Sequence, residues 1–96
     1  MKTILLAEDD ELIRAMLSRC LTTWGYNVIS AKDGANAVLL ARKERPDLIL
    51  MDMGLPLLNG WQATQRLKTA ADTRHIPIVA VTAFAMSEDR LKCLSV

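Results

Sequence analysis

An α/β fold, with a parallel sheet covered by helices on both faces, is predicted by three features of the sequence. Short apolar runs alternate with stretches of helical periodicity, each linking stretch is long enough for a right-handed crossover, and two of the apolar runs end on carboxylates. The 96 residues are 51% hydrophobic, which suits one globular domain over residues 1–96 rather than two. A net charge of +1 leaves no basic stripe of the kind nucleic-acid binders carry, so no nucleic-acid partner is expected. No apolar run approaches the roughly 20 residues of a membrane span. Met1, Lys2 and Thr3 lead straight into a strand rather than a signal peptide, so a cytoplasmic protein without membrane attachment is expected. Cys20 and Cys93 lie far apart with no CxxC spacing, and are expected to be buried free thiols.

The first element is the apolar run Ile4 to Ala7, a strand that gives way to Glu8, Asp9, Asp10 and Glu11. Leu12, Ile13, Met16, Leu17, Cys20, Leu21 and Trp24 then recur at helical spacing up to Gly25, which predicts a first amphipathic helix. Asp10 and Glu11 suit its positive end, whereas Glu8 and Asp9 fall nearer the strand end. Tyr26 to Ala31 reads as the second strand, and Lys32, Asp33 and Gly34 as a turn into a helix from about Ala35 to Arg45, closed by Pro46. Leu48, Ile49, Leu50 and Met51 form a run bounded by turn residues, as in a central parallel strand buried on both faces. That strand ends on Asp52, and a loop through Gly54 and Pro56 to Gly60 follows it.

A third helix is predicted from about Trp61 to Ala70, with Trp61, Thr64 and Leu67 on one face and Trp61 expected to pack. Asp72 to His75 is a polar loop with His75 facing solvent. Ile78 to Thr82 is a fourth buried run, and a last helix begins near Ser87.

Ligands of open α/β sheets bind beyond the carboxyl ends of the strands. If the first and third strands are neighbours, Glu8, Asp9 and Asp52 converge there, and carboxylates so close resolve their repulsion by a raised pKa or a bound cation. An all-oxygen site with few protein ligands suits Mg²⁺. A cation would make Asp52 a better phosphoryl acceptor, and Thr82, ending the fourth strand at the same edge, offers a hydroxyl to a phosphoryl oxygen, with small Ala83 leaving the approach open.

With these residues in place, the chain resembles the receiver domain of two-component response regulators. Glu8 and Asp9 match the family's acidic pair, Asp52 its phosphoacceptor, Leu55, Pro56 and Gly60 the loop after it, and Thr82 and Ala83 its switch threonine and small neighbour. Gly54 falls where the family supplies a backbone carbonyl to the metal. The resemblance implies a flavodoxin-like doubly wound sheet in the order 2-1-3-4, with Mg²⁺, or Mn²⁺ as a substitute, at the acidic site. It also implies a phosphorelay in which a histidine kinase or histidine phosphotransfer protein donates to Asp52, the domain acting as a switch rather than an enzyme with turnover.

The family pattern continues through a fifth strand, ending in a lysine and a proline, and a fifth helix, whereas this sequence stops at Val96. Read as a truncated receiver, the chain is expected to be phosphorylated slowly, briefly or not at all, because that lysine would contact the phosphoryl group. It is also expected to self-associate through an open fourth-strand edge or exchanged elements. The alternative is an inert receiver that acts only by protein interaction. A phosphatase using a strand-end nucleophile would want a second acid two residues on, where Gly54 stands, and a flavin or dinucleotide binder would not place four acids after its first strand.

Overall fold

The computed structural model describes residues 2–56 and 58–81. Thr82, Ala83, the helix expected near Ser87 and Cys93 lie outside the described residues. The elements are β1 (Thr3–Ala7), α1 (Glu11–Thr23), β2 (Asn27–Ala31), α2 (Gly34–Glu44), β3 (Leu48–Asp52), α3 (Gly60–Thr69) and β4 (Ile78–Val81). All pairings are parallel and the strand order is β2-β1-β3-β4, the doubly wound arrangement expected.

Alternation along the strands divides the core between two faces. Leu5, Ala7, Ile49 and Met51 are fully buried and pack with Ala37 and Ala41 of α2 and Ala63 and Leu67 of α3. Ile4 and Leu6 point the other way, toward the face that α1 covers with Leu17 and Leu21. Each helix starts on a side-chain cap. Asp10 accepts from the N–H groups of Leu12 and Ile13, Asp33 from Asn36, and Asn59 and Gln62 form a reciprocal capping box.

Three expectations change on this frame. In α1 the buried strip is narrower than the apolar one: Leu17 and Leu21 are buried, while Leu12, Met16 and Trp24 are exposed. In α3 the inward face is Gly60, Ala63 and Leu67, which leaves Trp61 70% exposed rather than packed. Small residues at those inward positions bring the helix close to β3, and the indole, one residue out of register, has nowhere inside to go. The apolar runs of β3 and β4 are also covered unevenly. Leu48 and Leu50 of β3 are only half-buried, and Val79 of β4, the outer strand among the described residues, is 48% exposed.

Candidate phosphoacceptor and metal site

The parallel register of β1 and β3 sets Ala7 opposite Met51, so the residues that follow each strand emerge at one edge of the sheet. Glu8 and Asp52 are both buried, Asp9 is exposed, and one carboxylate oxygen from each of the three lies within 4.8 Å of the others. The N–H of Glu8 donates to the carbonyl of Ala31 at 3.0 Å, which ties the end of β1 to that of β2. Asp52 Oδ1 accepts from the Gly54 N–H at 3.0 Å, a short turn that orients the carboxylate.

The loop after β3 is held down by close backbone approach. Gly60 donates to the Met53 carbonyl at 3.3 Å, and a Cβ on Gly60 would lie 2.6 Å from Met53 Cα and 2.9 Å from the Asp52 carbonyl carbon. At Gly34 a Cβ would run into the Leu58 carbonyl, so the start of α2 abuts the same loop. Both are places where the absent side chain makes room for backbone.

Electrostatically the cluster is under tension. Burial, the hydrogen bond shared with Asp52, and the charges of Asp52, Asp9 and Asp10 push the Glu8 carboxyl up to about 8. A buried acid surrounded by acids is relieved either by a proton or by a positive ion, and three oxygen donors of one sign fit a hard divalent cation. Asp10 serves α1 as its cap, and Glu11 in the first turn is exposed. His75 is exposed, and Cys20 is a half-buried free thiol.

Arg14 also belongs to the site, although no motif in the sequence marks it. Its Nη1 donates to the Glu8 carbonyl at 2.9 Å, and its side chain is only 14% exposed. The available signal was a basic residue in the first turn of a helix, where the macrodipole disfavours a cation.

The sheet order and the acidic strand ends together define a receiver. The chain belongs to the response regulator receiver domain family, whose model matches residues 4–96. Among curated relatives it is similar to the polar-differentiation response regulator DivK of Brucella anthropi, 44% identical over 88 residues that cover 92% of this chain and 72% of that protein. The Brucella ovis counterpart is 43% identical over the same shares.

Among solved structures it is similar to the receiver domain of a sensor histidine kinase from Pseudomonas aeruginosa, which has a magnesium ion coordinated in its active-site cleft. That match has a TM-score of 0.83 at 40% identity and covers 97% of this chain and 76% of that one. A response regulator solved in its Mn²⁺-bound form matches with a TM-score of 0.78 at 29% identity, covering 100% of this chain and 77% of that one. Receiver domains are signalling modules that interact with histidine kinases or phosphotransfer proteins and bind Mg²⁺ at an acidic pocket. Among the described residues no helix is long and apolar enough to cross a membrane.

Proposed function

We propose that this chain is a one-domain phosphoacceptor module in which Asp52 receives a phosphoryl group from a phosphohistidine on a histidine kinase or histidine phosphotransfer protein. The observation that carries the reading is the meeting of Glu8, Asp9 and Asp52 within 4.8 Å at the carboxyl edge of a doubly wound sheet. Glu8, Asp9, Asp52 and the backbone carbonyl of Gly54 would hold Mg²⁺, with Mn²⁺ as a substitute. When bound, the cation neutralises charge on the phosphoryl oxygens and so eases the approach of an anionic nucleophile.

The chain's own residues do the rest. Gly54 N–H holds Asp52 Oδ1 and orients the carboxylate. An Asp52 oxygen bonds to phosphorus as the phosphorus–nitrogen bond breaks, and the imidazole leaves with that electron pair and takes a proton from water. Val81 stands opposite Asp52 in the β3–β4 register, and the next two residues of the sequence, Thr82 and Ala83, are assigned the phosphoryl hydrogen bond and the open approach. At most weak self-phosphotransfer and autodephosphorylation accompany the switch. A cytoplasmic setting and self-association through the outer side of β4, which pairs with no further strand among the described residues, belong to the same reading.

Incubation with a small phosphodonor and Mg²⁺, followed over time by intact mass, tests it. The expected result is the gain of one phosphoryl group by the wild-type chain and none by Asp52→Asn. The time course extends to long incubation. No gain at any time in a folded chain that binds Mg²⁺ would leave the interaction-only alternative.

A further inference from the structure

Glu8 is anchored through both of its backbone groups. Its N–H donates to Ala31 of β2 at 3.0 Å, and its carbonyl accepts from Arg14 Nη1 at 2.9 Å. Two residues on, Asp10 is anchored as well: its side chain accepts from Leu12 and Ile13, and its carbonyl accepts from the Arg14 N–H at 2.9 Å. Asp9 therefore stands between two fixed peptides, one of them held by the Arg14 side chain and the other by the Arg14 backbone.

The arginine is placed for this contact rather than for an ion pair. Helical side chains lean toward the helix N-terminus, which carries the Arg14 guanidinium back over the end of β1. Its nearest carboxylate, Glu11, is 3.9 Å away and 84% exposed, a contact of little consequence in water. A mostly buried guanidinium donating to a carbonyl is a charge-assisted hydrogen bond, stronger than a neutral one.

We propose that Arg14 is a positioning residue for the acidic pair: by clamping the Glu8 carbonyl it fixes where the Glu8 and Asp9 carboxylates meet Asp52, and so sets the divalent-cation affinity of the site. The inference rests on the proposed function, in which these three acids bind the cation. Two consequences of removing Arg14 oppose each other in sign. By Coulomb's law alone, deleting a positive charge from the segment that carries the acidic pair tightens a divalent cation. Loosening the segment that carries two of the ligands weakens it.

Calorimetric titration of Mg²⁺ into wild type, Arg14→Met and Arg14→Lys separates the two, each protein being checked by circular dichroism to be folded at the working temperature. Methionine keeps an apolar stem but has neither charge nor donor, whereas lysine keeps the charge and a shorter donor. Affinity is expected to fall by about 10- to 100-fold in Arg14→Met and to recover in part in Arg14→Lys. The metal-free amide resonances of Glu8 and Asp9 are expected to move in Arg14→Met. A folded Arg14→Met with unchanged or tighter Mg²⁺ binding overturns the inference, whatever its melting temperature. Should Arg14→Met not fold, Arg14→Lys decides: its charge is that of wild type, so weaker binding supports donor geometry and equal binding overturns it. Absence of saturable Mg²⁺ binding in the wild type overturns the proposed function and this inference with it, whereas wild-type binding with no Arg14 effect overturns the inference alone.

Discussion

Replacing Glu8 with glutamine should remove a pH dependence that the acidic cluster imposes on the metal-free chain. An ordinary glutamate has a pKa of 4.5, and burial among Asp52, Asp9 and Asp10 pushes Glu8 up to about 8. Between these values the folded state holds a proton that the unfolded state has released, so stability falls as pH rises through the window and the full penalty stands above the upper value. The slope for one such group is on the order of 1 kcal/mol per pH unit, so from about pH 5.5 to about pH 7.5 the loss is at most about 3 kcal/mol. That is a large fraction of the roughly 5–15 kcal/mol that holds a small domain together.

Glutamine at this position keeps the shape and a donor toward Asp52, and it carries no charge at either pH. Urea unfolding in the presence of a chelator, at both pH values, is the assay. The difference in unfolding free energy between Glu8→Gln and wild type isolates this side chain from exposed groups such as His75. It should grow in favour of the variant as pH rises, and saturating Mg²⁺ should reverse the order at the higher pH by stabilising only the chain with all three acids. A difference that stays flat across the window would refute the reasoning.

Other perturbations follow from the same geometry. Gly60→Ala places a Cβ 2.6 Å from Met53 Cα, and thermal or urea melts should show a loss of about 1–3 kcal/mol together with weaker Mg²⁺ binding, because the loop carrying Asp52 must shift. Asp10→Ala removes the acceptor of the Leu12 and Ile13 N–H groups and should cost about 1 kcal/mol in the same melts, less whatever is regained by lowering the charge around Glu8. Sedimentation velocity at micromolar concentration should show self-association of the 96-residue chain, and a single compact monomer would contradict pairing along β4.

Much of the site was legible because polarity changes abruptly where β1 and β3 end. An apolar run that terminates on acids says both where a strand stops and which edge it faces, and so Glu8, Asp9 and Asp52 could be brought together before any coordinates. Of the helix caps, Asp10 was legible for a similar reason, as an acid at the positive end of α1, whereas Asp33 read only as part of a turn and the Asn59 cap came from the structure. Rotation of the helices was not. Large apolar residues suggested that Trp61 and Leu12 face inward, yet close helix–sheet approach is set by the small residues, and Gly60 with Ala63 decides the rotation of α3. Backbone-directed contacts were also invisible to pattern. Arg14 on the Glu8 carbonyl, Thr73 Oγ1 donating to the Leu67 carbonyl at 2.7 Å, and the fit of Gly34 against Leu58 all depend on where a distant carbonyl comes to lie.

A divalent ion seated between the ends of β1 and β3 is what the phosphoacceptor role of Asp52 requires above all. Titration with Mn²⁺, followed by paramagnetic broadening of backbone amide resonances, reports that position directly. Amides of Glu8, Asp9, Met53 and Gly54 should fade first and return on competition with Mg²⁺. Broadening that begins instead near Asp47, which accepts from the Thr3 N–H at the opposite end of the same two strands, would contradict it.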